Sequence, residues 1–142
     1  MRVDLVDPVN LPKVWHEIKP LVDKALQYNQ GERTANDMLE GLMNDEYYLL
    51  AGTDDDCNLV GVIIAETIIH PQKKELFVCT WATNTGYGYK EWADYFENAL
   101  IGIAESTGCH YISTWCRKGL AKKMITFHGW EESYSVVTKH LH

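Results

Sequence analysis

The sequence has no long apolar run and few basic residues. Its longest apolar segment, residues 60–65, has the length of a strand and is far shorter than the roughly 18 residues that cross a bilayer. Thirteen Lys and Arg stand against twenty Asp and Glu, which gives a net charge of −7. Affinity for nucleic-acid phosphates comes from concentrated Lys and Arg, so this balance argues against a nucleic-acid partner. The short apolar runs argue against a membrane partner.

The sequence also lacks a C-x-x-C pair among its four cysteines. The first residues lack the charged-then-apolar pattern of a signal peptide, so we expect reduced thiols and a cytoplasmic protein. Cys109, His110 and Cys116 bring metal-binding side chain types close together in sequence, but their spacing matches no common zinc pattern. We therefore predict no metal site.

The composition is otherwise that of a folded globular protein. Of the 142 residues, 46% are hydrophobic and 23% are charged, and eight Tyr and five Trp supply large side chains for a core. This length fits one domain, which we place at residues 1–142, because two domains would both be unusually small.

Apolar residues recur at helical spacing in some stretches and alternate or run together in others. One helix contains Trp92, Phe96 and Leu100 at positions i, i+4 and i+8, so these side chains should face a sheet. The pattern predicts helices over residues 10–28, from a cap at Thr34 through Leu42, from Tyr89 to Thr107, and over about 119–127. It predicts strands over residues 2–6, 47–52, 59–69, 75–83, 110–115 and 133–139.

The connections between these elements predict a mixed sheet. Short turns join the strands at 47–52, 59–69 and 75–83, so these three should form an antiparallel meander. A full helix separates strand 75–83 from strand 110–115, so these two can lie parallel. The fold class is therefore α/β, with a mixed but mostly antiparallel sheet flanked by helices.

Several local signals occur in the order and spacing of one superfamily. Val78 lies five residues before Thr83, and Gly86-Tyr87-Gly88 matches the glycines of a Gln/Arg-x-x-Gly-x-Gly/Ala loop. Two further motifs lie near the ends of predicted helices. The first is Ala104 with Gly108-Cys109, and the second is Ala121 with Met124 and Gly129-Trp130. Together they resemble the GNAT superfamily of N-acetyltransferases over nearly the whole chain. The resemblance implies a single GNAT-like domain that transfers an acetyl group from acetyl-CoA to an amine.

A closer likeness is to a divergent, phage-encoded branch of GNAT-like proteins. It rests on Ala65-Glu66-Thr67 before His70-Pro71, and on Arg117-Lys118-Gly119-Leu120 before the final Gly-Trp. This likeness implies a viral protein of the host cytoplasm, with association with the phage particle as a further possibility. The amine acceptor is unknown.

The resemblance also implies which residues would hold acetyl-CoA. The strand end would hold the pantetheine arm, and backbone N–H groups of the glycine loop would hold the pyrophosphate. Arg117, in the one dense basic cluster, would meet phosphate. The alternative is a loop whose glycines only permit a tight turn. The implied cofactor residues are Val78, Cys79, Thr80, Thr83, Asn84, Thr85, Gly86, Tyr87, Gly88, Tyr89 and Arg117.

Glu66 is the candidate general base, because it is a lone carboxylate inside an apolar strand, where burial would raise its pKa. The alternative is that Glu66 faces solvent or pairs with a cation such as Lys74. Three positions depart from the superfamily: Thr83 replaces Gln or Arg, Lys118 replaces Asn, and Ile125 replaces a Tyr that often protonates the leaving thiolate. Isoleucine has no proton to donate.

Two classes of function follow from these residues. The first is an acetyl-CoA-dependent N-acetyltransferase, which the glycine loop favours. The second is a catalytically silent GNAT-fold protein that binds other phage proteins in the particle or during its assembly. Thr83, Ile125 and the many aromatic side chains favour this second class, because Trp and Tyr are common anchors of interfaces.

Overall fold

A computed structural model of the chain describes residues 1–28 and 31–141. In this part of the chain no helix is both long and apolar enough to span a membrane. A 3-10 turn at Pro8–Asn10 precedes the first helix. The strands are β1 (Arg2–Leu5), β2 (Tyr48–Thr53), β3 (Leu59–Ile69), β4 (Lys74–Thr83) and β5 (Tyr111–Thr114), and the helices are α1 (Leu11–Leu26), α2 (Ala35–Met43), α3 (Tyr89–Ser106) and α4 (Lys118–His128).

The five strands form one sheet in the order β1-β2-β3-β4-β5. The pairs from β1 to β4 are antiparallel, and β4 pairs with β5 in parallel. Helix α3 makes the crossover between the two parallel strands, as such a connection requires. The predicted single α/β domain with a mixed, mostly antiparallel sheet is therefore confirmed.

Helices cover both faces of the sheet and create two cores. On one face, Ile18 and Val22 of α1 and Met38 of α2 pack in one cluster with Leu49 and Ile64. On the other face, α3 and Met124 of α4 pack against the sheet. The predicted stripe of α3 is confirmed, because Trp92, Phe96 and Leu100 are all buried there.

A β-bulge interrupts the middle of β4. Ile64 of β3 pairs with Thr80 and the next residue, Ala65, pairs with Val78, so Cys79 is an extra residue in β4. The bulge reverses the alternation of side chains along the strand. Val78 and Trp81 consequently both contact the α3 core, although three positions separate them, whereas Cys79 contacts the α1–α2 core. The alternation pattern of the sequence does not predict this bulge.

The predicted strand at residues 133–139 is wrong. None of the described residues 129–141 lies in a strand, and Tyr134 and Val137 are 88% and 92% exposed. The alternation and the β-branched residues of this segment indicate a strand propensity, but a strand also needs a partner edge. The sheet that the described residues form consists of β1 to β5 and does not include this segment.

Candidate functional site

The parallel strands β4 and β5 separate at the bulge and form a fork. Their register runs from Glu75 opposite Tyr111 to Val78 opposite Thr114, where β5 ends. Strand β4 continues to Thr83, so residues 79–83 extend past β5 and pair with no strand on that side among residues 1–28 and 31–141. An extended ligand that entered the fork would meet the backbone N–H and C=O groups of this edge of β4.

The Trp81 side chain crosses this fork. Its indole N–H donates to Oγ1 of Thr114 at 2.8 Å, and the Thr114 hydroxyl donates to the Val78 carbonyl at 2.8 Å. Behind Trp81, the rings of Tyr89, Trp92 and Trp130 enclose a crevice of about 10 Å³, which holds no more than one water molecule. The side chains thus close the space that the backbone of the fork opens.

The glycine loop leads directly from β4 into α3. Asn84 fixes its start, because its backbone N–H donates to the Val60 carbonyl at 2.8 Å and its side-chain amide donates to the Leu59 carbonyl at 2.7 Å. Gly86 has a φ of +97°, and a Cβ at this position would meet no atom within 4 Å. Gly88 is the N-cap of α3. The loop is therefore exposed at Thr85, Gly86 and Gly88 and ends at the N-terminus of a helix.

Two carboxylates from outside the glycine loop accept hydrogen bonds from its residues. Glu91 Oε1 accepts the N–H of Gly88 at 3.2 Å, and the hydroxyl of Tyr87 donates to Oδ2 of Asp54 at 2.8 Å. This hydrogen bond to Asp54 is the main cause of a raised pKa at Tyr87. The pKa of Asp54 is lowered, first by the backbone N–H of Asn58 and then by Tyr87. An anion that binds the loop must compete with the Glu91 carboxylate for the Gly88 N–H.

A hydrogen-bonded network joins the first turn of α3 to the end of α4. The Tyr89 hydroxyl and Nδ1 of His128 are 2.6 Å apart, and Nε2 of His128 is 2.6 Å from Oδ1 of Asp94. Burial raises the pKa of Tyr89, and the carboxylates of Glu97 and Asp94 add to the effect. The sequence does not predict this network, because Tyr89 and His128 are 39 residues apart and lie on different helices.

Glu66 lies on the α1–α2 side of β3, next to the bulge. It pairs with Phe77, one position from the Ala65–Val78 pair. Its Oε1 is 3.6 Å from Nη2 of Arg33, so it pairs with a cation as the alternative reading expects. That cation is not Lys74, whose ammonium donates to the Thr107 carbonyl at 2.7 Å. Sequence periodicity could not identify Arg33, because it lies in the loop before α2.

The bulge residue Cys79 is a buried thiol. Its S–H donates to the Ile64 carbonyl at 3.3 Å, and burial raises its pKa to about 11. Such a thiol is protonated at neutral pH and is a poor nucleophile. The neighbouring hydroxyl of Thr80 is buried and has no hydrogen-bond partner in the described part of the chain. Cys79 can therefore serve a ligand through its backbone, not through its sulfur.

Arg117 lies beyond the end of β5 and is the N-cap of α4. Its guanidinium carbon is 4.3 Å from the centre of the Tyr28 ring, which follows α1. The structure thus places Arg117 against the end of α1. Lys118 begins α4, and Ile125 is exposed on it.

The structure brings most of the predicted site residues together. Val78, Cys79 and Thr80 line the start of the fork, and residues 83–89 continue from it without a break. Glu66 lies beside the bulge on the next strand. Among the described residues, no group of three His, Cys, Asp or Glu side chains is placed to hold a metal ion.

No protein-family model matches the sequence, and no curated protein matches it. Solved structures match the fold along its whole length. A ribosomal-protein-alanine N-acetyltransferase from Brucella melitensis biovar Abortus is 17% identical and has a TM-score of 0.72, with 99% of this chain and 100% of that chain covered. An aminoglycoside acetyltransferase from an uncultured soil metagenomic sample, solved with sisomicin, is 13% identical with a TM-score of 0.74 and coverages of 99% and 96%.

A GNAT family acetyltransferase from Staphylococcus aureus is 16% identical and has a TM-score of 0.67, with 99% of this chain and 100% of that chain covered. The chain has the GNAT fold. The residues of the fork and of the glycine loop follow one another along the chain, from Val78 to the N-terminus of α3. At these identities the likeness establishes the GNAT architecture, and the chemistry must be argued from the site.

Proposed function

We propose that this GNAT-fold protein is an acetyl-CoA-dependent N-acetyltransferase with an amine acceptor. The observation that carries this proposal is the fork at the β4 bulge, which opens backbone groups of β4 and leads directly into an exposed glycine loop. A long, thin ligand with an anionic pyrophosphate fits such a surface, because it needs both an extended hydrogen-bonding edge and a cluster of free N–H groups.

The backbone of the site fits acetyl-CoA. In this proposal the free groups of residues 79–81 hold the pantetheine arm as an added strand, and the N–H groups from Gly86 to the start of α3 hold the pyrophosphate. The positive φ of Gly86 keeps the loop in a conformation that a β-carbon would strain. When bound, acetyl-CoA supplies an acetyl group activated as a thioester.

Two side chains must move for this fit. Trp81 has to leave its hydrogen bond with Thr114, and Glu91 has to release the Gly88 N–H. Trp81 is partly buried and Glu91 is exposed, so rotation of each about its own side-chain bonds is the smallest change that opens the site.

Glu66 is the proposed proton acceptor for the attacking amine. It lies beside the bulge, on the face of the sheet that carries α1 and α2. Its partner Arg33 orients the carboxylate, which accepts a proton as the amine attacks. Since Ile125 cannot protonate the departing sulfur, we propose that water supplies that proton.

The second candidate is a GNAT-fold protein that binds partners without catalysis. The bond between Trp81 and Thr114, the crevice of about 10 Å³ and the exposed Ile125 favour it. In this reading the aromatic side chains that close the fork stabilise the fold. The partner would be another phage protein, in the particle or its assembly.

We also propose that the chain is one domain over residues 1–142 and belongs to the phage-encoded branch. The support for viral origin, for the host cytoplasm and for association with the particle is the likeness of two segments, Ala65-Glu66-Thr67 with His70-Pro71 and the segment from Arg117 to Leu120. Detection of the chain in purified particles by mass spectrometry would separate the two locations.

Calorimetric titration of acetyl-CoA separates the two candidate functions. We expect saturable binding to the wild type and a loss of affinity in Gly86→Val, because a β-branched residue cannot hold a φ of +97° without strain. Gly108→Val is the matched control, since Gly108 has a φ of +73° and equally open surroundings at the other end of α3. Both variants should lose similar stability, and only Gly86→Val should lose affinity.

Charge provides a second arm of the same titration. Arg117→Ala should weaken binding if Arg117 meets a phosphate, and moderate salt should weaken binding to the wild type. Turnover is then tested with sisomicin and with a peptide that begins with alanine, the acceptors that the names of the structural relatives suggest. Glu66→Gln should bind acetyl-CoA and turn over slowly. No wild-type binding at millimolar acetyl-CoA would leave only the second candidate.

A further inference from the structure

An open cavity, which we call the Asp45 cavity, lies where β1 and β2 join the helices of one face. It has a volume of about 360 Å³, which is within the range of pockets that hold small organic molecules. Residues 5–8 line it from the connection between β1 and α1, and Asp45, Tyr47 and Tyr48 line it from the connection between α2 and β2. Both connections include exposed residues, so the cavity opens to solvent.

The apolar part of the Asp45 cavity is held in place by packing. Three leucines of the α1–α2 core line it and are each at most 3% exposed: Leu11, Leu42 and Leu49. The Tyr47 ring is fixed by its neighbours, because a Cβ on Gly41 would collide with it and the guanidinium carbon of Arg33 is 5.7 Å from its centre. The cavity is therefore formed before a ligand arrives, which lowers the cost of binding.

The charged side chains that line the Asp45 cavity are acidic. They are Asp7 and Asp45, and among the described residues that line it there is no Lys, Arg or His. Oδ1 of Asp7 accepts the backbone N–H of Val9 at 2.9 Å, and a carboxylate has acceptor sites beyond one such bond. The rings of Tyr47 and Tyr48 add faces that attract cations. The cavity therefore favours a molecule that is mainly apolar and carries a positive charge.

Asp45 occupies a backbone position that favours glycine. Helix α2 ends in a Schellman motif, in which the Glu46 N–H donates to the Gly41 carbonyl at 2.8 Å and the Asp45 N–H donates to the Leu42 carbonyl at 3.3 Å. Asp45 has a φ of +59°, which glycine adopts without strain. Its carboxylate also lies at the C-terminus of α2, where the helix dipole disfavours a negative charge. The folding of this turn does not account for the carboxylate, whereas a bound cation would be stabilised by the carboxylate and by the helix end.

We propose that the Asp45 cavity binds a small organic molecule with an apolar body and one primary ammonium group. The ammonium donates to the carboxylates of Asp45 and Asp7, and the apolar body packs on the leucines. The cavity lies at β1 and β2, whereas the fork lies between β4 and β5 at the other side of the sheet. The proposal is therefore independent of the proposed acetyltransferase activity.

Titration of the full chain with phenylbutylamine, followed by NMR of the backbone amides, tests the proposal. We expect saturable shifts at the amides of Val6, Asp45 and Leu49, which surround the cavity. Phenylbutyrate has the same apolar body with a carboxylate in place of the ammonium, and should bind about tenfold more weakly or worse. Moderate salt should weaken binding of the amine.

Substitutions at Asp45 separate its charge from its backbone conformation. Asp45→Asn removes the charge and keeps a residue that tolerates the left-handed region, and Asp45→Gly removes both the charge and the strain. Each should raise the dissociation constant of phenylbutylamine by about tenfold. Asp45→Gly should melt no lower than the wild type, so unfolding would not explain its loss of affinity.

Cys57→Gly is the matched control. Cys57 is exposed in the turn between β2 and β3 and has a φ of +64°, so the substitution relieves the same kind of strain away from the cavity. It should bind phenylbutylamine as the wild type does.

Four results would contradict the proposal. The first is no wild-type binding at millimolar phenylbutylamine, and the second is phenylbutyrate binding as tightly as the amine. The third is an unchanged affinity in both Asp45 variants. The fourth is a set of shifts at the β4 bulge with none near Asp45, which would place the amine beside Glu66 as an acceptor and leave the cavity empty.

Discussion

At the residue scale, the ring of Phe96 shows how closely α3 approaches the sheet. Phe96 is fully buried, and a Cβ on Gly52 of β2 would come within 2.6 Å of its Cζ. Real Cβ atoms do not approach a ring so closely, so Gly52 is required for this contact. A sequence pattern identifies Phe96 as a core residue, but only the structure identifies the residue beneath it.

Phe96→Ala should lower the free energy of unfolding by about 3–5 kcal/mol, because it removes a large side chain from a fully packed site. Tyr95→Ala is the matched control, since its side chain is 48% exposed on the same helix and should change stability by less than about 1 kcal/mol. Urea unfolding measures both. Equal effects of the two substitutions would show that the register of α3 is wrong.

At the scale of the element, α1 continues through a residue that disfavours helix. The helix runs from Leu11 to Leu26 and contains Pro20, which cannot donate the hydrogen bond that the His16 carbonyl would otherwise accept. Buried Ile18, Leu21 and Val22 anchor the helix on both sides of this position. The burial of its apolar face therefore outweighs the local cost of the proline.

Pro20→Ala should stabilise the protein by about 1 kcal/mol or more, since it restores a helical hydrogen bond at an exposed position. The greater freedom of the unfolded alanine chain offsets part of this gain. Pro12→Ala is the control, because Pro12 lies in the first turn, where the missing N–H has no helical partner. The midpoints of thermal unfolding should rise for Pro20→Ala and should not rise for Pro12→Ala.

At the scale of the whole molecule, the backbone and the side chains of the fork favour different functions. The bulge and the end of β5 open the fork, while Trp81 and its bond to Thr114 close it. The function therefore depends on whether binding of acetyl-CoA releases more free energy than breaking the hydrogen bond between Trp81 and Thr114 costs. The change in the free energy of unfolding of the whole protein when acetyl-CoA is added measures this balance.

Acetyl-CoA at about 100 times its dissociation constant should stabilise the folded protein by about 2.7 kcal/mol, which raises the midpoint of thermal unfolding by several degrees. Gly108→Val should show the same rise, and Gly86→Val should show almost none. A wild-type midpoint that millimolar acetyl-CoA does not move would favour the binding protein. This measurement needs no acceptor.

The sequence by itself determined the local elements and the fold class. The helical spacing of Trp92, Phe96 and Leu100 predicts the buried face of α3. The short turns between the antiparallel strands, together with the one long helical connection, predict the mixed sheet. Such features depend on neighbours in sequence and on the periodicity of apolar residues, so a linear pattern records them. A linear pattern also explains the error at residues 133–139, because it records the strand propensity of that segment and not whether the segment joins the sheet.

The tertiary structure alone decided the details of the site. The bulge at Cys79, the position of Trp81 across the fork, the pairing of Glu66 with Arg33 and the network of Tyr89 with His128 each join residues that are distant in sequence. Their positions follow from register and from the packing of helices on the sheet. No periodicity in one stretch of chain encodes such a contact, because it forms only when two elements meet.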